Sequence, residues 1–274
     1  MRLGAHLSIA EGIENALKDA KTIGANTLQI FSGSPRSWEF LKRSSIELKR
    51  FRDLAKKNDV SPIFVHAKYL VNLSSQDPQI RQKSINSLIE DLDFCQKTGA
   101  SGVIFHPHPQ NLSLLTKSIE KVLASTPKST YLILENSAQI KLEKIGEIIK
   151  VIKNSRLKFC LDTAHAYQAG YDLAKEKGVK KVFGIIKTKI GFERWVVIHA
   201  NDSKTDLGSR HDQHENIAQG KLGALPFTIL LQHPVSKKLP FILETPAIRT
   251  ESLPGGIKNL NTLRKLSQVN WHVI

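Results

Sequence analysis

The sequence predicts an α/β protein, a closed (β/α)8 TIM barrel forming one domain over residues 1–274. Three observations predict it. Eight short apolar runs alternate with eight stretches of helical period. The runs are mostly continuous in their apolar residues, as strands covered on both faces must be. No linker, low-complexity tract or break in composition interrupts the 274 residues, a length ordinary for one barrel. Eight strand–helix repeats fit a closed barrel better than a doubly wound open sheet.

The elements follow in order. The apolar runs are RLGAHLS (2–8), TLQIF (27–31), SPIFVHA (61–67), GVIFHPH (102–108), YLILEN (131–136), LKFCLDT (157–163), RWVVIHA (194–200) and LPFILET (239–245). Between them, Ile13, Ala16, Leu17 and Ala20 share one helical face. So do Ile85, Leu88, Ile89, Leu92 and Cys95, then Ile145, Ile148, Ile149 and Ile152, then Val179, Val182, Phe183 and Ile186. The helix after the seventh run, near Leu225–Leu231, is short. Gly24, Gly99 and Gly178 follow or interrupt helical pattern and read as C-terminal stops.

Composition narrows the function classes. Lys and Arg number 40 against 25 Asp and Glu, a net charge of +15, which calls for an anionic partner, most commonly nucleic acid. The two cysteines, Cys95 and Cys160, lack metal-type spacing and read as buried small hydrophobes in a reducing compartment. Met1 leads straight into ordinary pattern without a signal peptide. No apolar run approaches the roughly 18 residues of a membrane span. The chain reads as soluble and cytoplasmic, with no membrane partner.

Barrel active sites lie at the C-terminal ends of the strands, and the runs end in a pattern. The first carries His6. The third to eighth end at His66, His106, Glu135, Asp162, His199 and Glu244, with His165 three residues after Asp162. The loop after His199 adds His211, Asp212, His214 and Glu215. Each has a bland reading alone: a hydrogen-bonded core histidine, a helix cap at Asp162-Thr163, a polar pair at Glu135-Asn136. Together they do not. Glu135, Asp162, Asp212 and Glu244 converge on one rim with few cationic side chains nearby, and an unpaired buried carboxylate costs several kcal/mol. Neutral imidazoles cannot balance them; divalent cations can. His66, His106, Glu135, Asp162, His165, His199, Asp212, His214 and Glu244 exceed what one ion needs, so shared carboxylates allow two or three. A donor set of His and carboxylate without thiolate suits Zn²⁺ or Mn²⁺. Clustered dications are a device for phosphoryl transfer.

The residues also resemble a known family, the endonuclease IV type of apurinic/apyrimidinic (AP) endonuclease. The resemblance covers essentially the whole chain, through GAHLS, HAKYLVNL, His106-Pro107, LENSA, LDTAHAYQAGYD, HANDSKTDLGSRHDQH and LETP. It implies a TIM barrel with three zinc ions, Mn²⁺ being an option at one site. It implies a monomer that cleaves double-stranded DNA 5′ to an abasic site in base-excision repair, leaving 3′-hydroxyl and 5′-deoxyribose phosphate ends. By the same resemblance His66 and His106 hold one ion with Glu135, which bridges to a second held by Asp162, His199 and Glu244. His165, Asp212 and His214 hold the third. Glu135 and Glu244 take the catalytic roles, Glu244 orienting the attacking hydroxide. Arg36, Tyr69 and Leu70 stand where the family reads DNA, as wedges for a kinked duplex.

Several positions depart from the family pattern. His106-Pro107-His108-Pro109-Gln110 replaces His-Pro-Gly with a later His. Glu135 to Gln139 lacks the Gly-Gln-Gly loop. Ala218-Gln219-Gly220 replaces Gly-x-Gly, and Ala67 replaces an acid. A sugar isomerase or epimerase on the related barrel needs only one or two ions and has no use for the +15 charge. A DNA-binding protein without catalysis has no use for converging carboxylates.

Overall fold

In the computed structural model, which describes residues 1–250 and 253–269, eight parallel strands pair in a ring. They are β1 (Arg2–His6), β2 (Thr27–Ile30), β3 (Ile63–His66), β4 (Gly102–Phe105), β5 (Tyr131–Glu135), β6 (Leu157–Asp162), β7 (Trp195–His199) and, after a two-residue antiparallel ladder of β8 (Asp202–Ser203) and β9 (His214–Glu215), β10 (Pro240–Leu243). The ring closes where β1 pairs with β10, Ala5 opposite Leu243. All eight predicted runs are barrel strands, so the expected TIM barrel is the fold. Gly4 permits one of the close approaches: a Cβ there would lie 1.9 Å from the Thr27 carbonyl oxygen.

Helices cover the outside. They include α1 (Ile13–Thr22), α2 (Ser45–Lys57), α3 (Pro78–Thr98), α4 (Leu112–Ala124), α5 (Leu142–Ile152), the short α6 (Thr163–Gln168), α7 (Glu176–Ile185), α8 (Leu225–Gln232), α9 (Pro246–Thr250) and α10 (Leu253–Gln268). Their starts are encoded locally. Ser44, Asp77, Asn111 and Asp162 each accept a backbone N–H of the first turn of α2, α3, α4 and α6. Gly99 closes α3 in the left-handed conformation, and Gly24 follows α1 at φ +72°, as read from sequence. Gly178 corrects that reading. It lies in the first turn of α7, where a Cβ would stand 1.8 Å from the Asp172 carbonyl oxygen, so it serves packing rather than termination. The predicted apolar faces are turned inward, with Ile186 in a π-turn that extends α7. Cys95 and Cys160 are buried. No helix among the described residues is long and apolar enough to cross a membrane.

The apolar core is in two parts, and the smaller one positions the site. Most of the core lies between strands and helices. A separate cluster of Phe64, Ile104, Ile133, Cys160, Val197 and Ile242 comes from six strands, whose residues on either side belong to the outer layer or to the ends of the run. These six face inward and fill the barrel. Side chains alternate along a strand, so the inward position two residues later sits one layer higher. Those positions are His66, His106, Glu135, Asp162, His199 and Glu244. In each strand one apolar residue forms the floor and the next inward residue is the candidate ligand.

Candidate metal centre

The strand register sets these side chains side by side: Asp162 is opposite His199, and Glu135 is opposite Cys160. Glu135 is central and fully buried. Its Oε2 lies 3.3 Å from His66 Nε2 and 3.5 Å from His106 Nε2, while its Oε1 lies 3.0 Å from His199 Nδ1. His199 Nδ1 is also 3.5 Å from Glu244 Oε2 and 4.0 Å from Asp162 Oδ2. On the far side, His165 Nε2 and His214 Nε2 stand 3.2 Å apart, with Asp212 Oδ1 at 3.0 and 3.3 Å. Four donors around a zinc-sized ion, each at about 2.1 Å, would be spaced by about 3.4 Å. The donor atoms fall into three groups, each within 4.8 Å: His66–His106–Glu135, Glu135–Asp162–His199–Glu244 and Asp162–His165–His214. Asp212, on an exposed loop, completes the third, and Asp162 adjoins both the second and the third.

Several neighbours are spoken for by the backbone and by amides. Asp162 caps α6 by accepting His165 N at 2.8 Å and also accepts Asn201 Nδ2 at 2.7 Å, so the bland and the functional reading of Asp162 both hold. Asn136 exchanges two hydrogen bonds with the Asp162 backbone, and its carbonyl accepts His165 Nδ1 at 2.9 Å. That leaves His165 Nε2 for the cluster. His66 Nδ1 donates to the Ala67 carbonyl at 2.8 Å, which leaves its Nε2 free in the same way.

Electrostatics mark the group as one that seeks cations. Burial works against charge on Glu135, yet His106 and His199 hold it well below the usual carboxylate range. Glu244, also opposed by burial, is held well below by His199 and by the hydrogen bond from His6. Burial raises Asp162 and lowers His106 to about 4. Burial opposes charge on His165, but Asp162 and Asp212 carry it well above the ordinary imidazole value. The two buried nitrogens His106 Nδ1 and His6 Nε2 have no protein partner among the described residues. Anionic carboxylates packed between imidazoles, at coordination spacing, are a donor set that divalent ions fit.

Comparison with known proteins agrees with this geometry. A family model described as "Xylose isomerase-like TIM barrel" matches residues 17–266. A protein of Persephonella marina named "Probable endonuclease 4" is 32% identical over 97% of this chain and 97% of its own. One of Aquifex aeolicus with the same name is 36% identical over 97% and 98%. Among solved structures, endonuclease IV from Thermus thermophilus superposes with a TM-score of 0.87 at 34% identity, covering 97% of this chain and 98% of that one. The chain belongs to the endonuclease IV family. Membership makes it an enzyme, a nuclease of the hydrolase class, and the resemblance read from its motifs is borne out.

Of the sequence-predicted rim residues, Tyr69 lines the mouth beside the donor cluster, and Arg36 and Leu70 lie on the loops next to it. Phe31, which starts the loop carrying Arg36, stacks edge-on with Tyr69 at 5.5 Å and with His66 at 5.7 Å. Tyr69 N donates to the Pro35 carbonyl. Arg36 is exposed, Tyr69 is 57% exposed, Leu70 is half-buried, and Trp38 packs on the core. Beneath these loops lies a polar tie the sequence did not reveal. Ser32 Oγ donates to Asp91 Oδ1 at 2.5 Å, and Lys68 Nζ donates to the Glu39 carbonyl at 2.7 Å. A cleft of about 700 Å³ opens beside the centre, lined by His6, Ser8, Phe31, Arg43, Tyr69 and Glu244. The altered segments at 106–110 and 136–140 border a second hollow of about 280 Å³ on the other side of Tyr69. There Gln110 accepts Ser74 Oγ at 2.8 Å.

Sequence reasoning missed Gln29 and Asn201. Asn201 accepts Glu244 N at 2.8 Å and so fixes the end of β10. Both are amides rather than metal ligands, but Gln29 was findable. It is the inward residue at the end of β2, the one strand that offers no titratable residue there, and it lies directly opposite His6.

Proposed function

We propose that this endonuclease IV is a zinc-dependent AP endonuclease. It hydrolyses the DNA phosphodiester 5′ to an abasic site, leaving 3′-hydroxyl and 5′-deoxyribose phosphate ends, and serves base-excision repair. The reading takes the chain as one domain, acting as a cytoplasmic monomer on double-stranded DNA. The observation that carries it is Glu135, a buried carboxylate whose two oxygens face two different donor groups. His66 and His106 would hold one ion with it, Asp162, His199 and Glu244 a second, and His165, Asp212 and His214 a third, with Mn²⁺ an option at one of them. Bound there, the ions would supply a nucleophilic hydroxide at neutral pH and neutralise charge growing on the phosphate.

The protein's own contribution is placement. Glu244 stands at the cleft with one oxygen among the donors and the other among His6 and Gln29, and would orient the attacking water. Arg36 would pair with the backbone, and Tyr69 with Leu70 would wedge into the stack and hold the kinked duplex open. The basic surface favours approach of the polyanion. The test is incision of one synthetic abasic duplex together with elemental analysis. About three metal ions per chain and a single cut 5′ to the abasic site are expected, with activity abolished by chelation. Metal-replete protein that leaves the duplex intact overturns the reading.

A further inference from the structure

Gln29 makes hydrogen bonds that only one orientation of its amide satisfies. It is fully buried at the end of β2, directly opposite His6. One end of the amide is 2.6 Å from Glu244 Oε1 and 2.9 Å from His6 Nδ1; the other is 2.8 Å from His199 Nε2. A carboxylate oxygen accepts only. The atom beside Glu244 is therefore Nε2, which donates to Glu244 Oε1 alongside the hydrogen bond from His6 Nδ1. The opposite atom is then the carbonyl oxygen, an acceptor, so His199 Nε2 must carry its hydrogen. A neutral imidazole with its proton on Nε2 has its lone pair on Nδ1. That is the atom 3.0 Å from Glu135 Oε1 and 3.5 Å from Glu244 Oε2, inside the second donor group. The same amide occupies Glu244 Oε1 and leaves Oε2 towards that group.

We propose that Gln29 is a positioning residue of the metal centre: one buried amide selects Nδ1 of His199 and Oε2 of Glu244 as the ligating atoms. This goes beyond the proposed function and rests on it, since the atoms selected are those offered to a metal. The geometry explains why an amide stands there. A hydrocarbon would leave Glu244 Oε1 with His6 alone and the His199 N–H unpaired in the barrel. A carboxylate would keep the acceptor for His199 but face Glu244 with like charge. Groups that orient metal ligands through their other atom are commonly worth about ten- to a hundredfold in metal affinity.

The test uses the whole protein loaded with zinc and the variants Gln29→Met, close in shape without polar ends, and Gln29→Glu. Long-range proton–nitrogen spectra of the imidazoles, with His199 assigned by its loss in His199→Asn, read the ligating atom directly. In the wild type His199 is expected to be coordinated through Nδ1 with a protected Nε2–H. In Gln29→Met, metal affinity by chelator competition is expected to fall about ten- to a hundredfold, with kcat lowered and KM unchanged. A wild-type His199 coordinated through Nε2 overturns the proposal, as does a Gln29→Met protein with wild-type metal affinity and kcat. If Gln29→Met does not fold, Gln29→Glu decides: Nδ1 coordination with lowered kcat supports the assignment, and wild-type metal affinity and kcat refute it. Failure of the metalloenzyme reading would look different, because the wild type itself would then bind no zinc or leave abasic DNA uncut.

Discussion

Glu244 and Tyr69 both line the same cleft, yet they are held in opposite ways. Glu244 ends a strand whose register fixes it, and its neighbours Asn201, Gln29 and His6 occupy its backbone N–H and one carboxylate oxygen. Tyr69 stands 57% exposed on a loop, tied by one backbone bond to Pro35 and by an edge contact with Phe31. The comparison teaches a division of labour. Under the proposed function, the barrel would determine where bonds are broken, and the loops what is brought there. Chemistry that depends on ångström placement sits on elements that cannot move independently, while recognition of a long, variable polymer sits on segments that can adapt.

The sharpest way to break this division is to compare one change on each side. Glu244→Gln keeps the shape and the hydrogen bond to Gln29 in part but removes the charge. A fall in kcat of about 10²- to 10⁴-fold is expected, with little change in KM. Single-turnover incision kinetics on an abasic duplex measure it. If KM moves instead and kcat does not, Glu244 belongs with the binding loops and the division is wrong.

The loop side should respond in the opposite parameter. Tyr69→Ala removes an aromatic wedge worth about 1–3 kcal/mol, so binding should weaken by about ten- to a hundredfold at unchanged metal content. Arg36→Ala should lower the slope of log affinity against log salt by about one. Titrations of abasic duplex at several salt concentrations separate the two. An unchanged salt slope in Arg36→Ala would remove Arg36 from the interface.

How much of this could be read from sequence follows the same line. All eight strands and the nine candidate ligand positions were legible, because burial on both faces leaves a continuous apolar run, because six candidates interrupt such a run at its end, and because His165, Asp212 and His214 cluster in the segments that follow. The step of two residues from floor to ligand, Ile133 to Glu135 or Cys160 to Asp162, is a property of the strand itself. Gln29 follows the same step from Thr27, and only that position in the strand marks it, since an amide announces no chemistry. Gly178 misled because a glycine that ends a helix and one that admits a carbonyl look alike without their neighbours. The link between Ser32 and Asp91 joins residues 59 positions apart and has no local signature.

That link gives a smaller effect, on stability. Burial raises the Asp91 carboxyl to about 7, against partial relief from Ser32 and Lys68. The folded protein therefore keeps a proton that the unfolded chain has released, from the ordinary carboxylate range up to about 7. Unfolding in that window gives up a proton, so stability falls as pH rises through it and levels off above. Asp91→Asn removes this slope while keeping an acceptor for Ser32. The variant should match the wild type near about pH 4.5 and melt higher at about pH 8. Thermal midpoints across this range check it, and parallel curves for the two proteins would show that Asp91 is not the group involved. Because Ser32 lies in the loop carrying Arg36, a change confined to stability would also show that the tie holds the loop without tuning DNA affinity.

The smallest effect concerns the segment that follows His214. Ala218 adopts φ +62°, a left-handed conformation that costs an L-residue about 1–2 kcal/mol. The surrounding loop enforces it. The Asp202 carboxylate accepts the backbone N–H of Gly220 and Leu222, and Asn259 on α10 accepts that of Ile217, so the chain on both sides of Ala218 is pinned. Ala218→Gly relieves the strain but gives the unfolded chain more freedom, which takes back about 0.4–1 kcal/mol. The net expectation is a gain of about 0.5 kcal/mol in unfolding free energy, with kcat unchanged, read from denaturant midpoints at constant slope. A loss of stability would mean that the methyl group's packing against the core outweighs its backbone cost. A change in kcat would mean that the strain is transmitted to His214 four residues away, and the boundary between barrel and loop would then have to be drawn beyond Ala218.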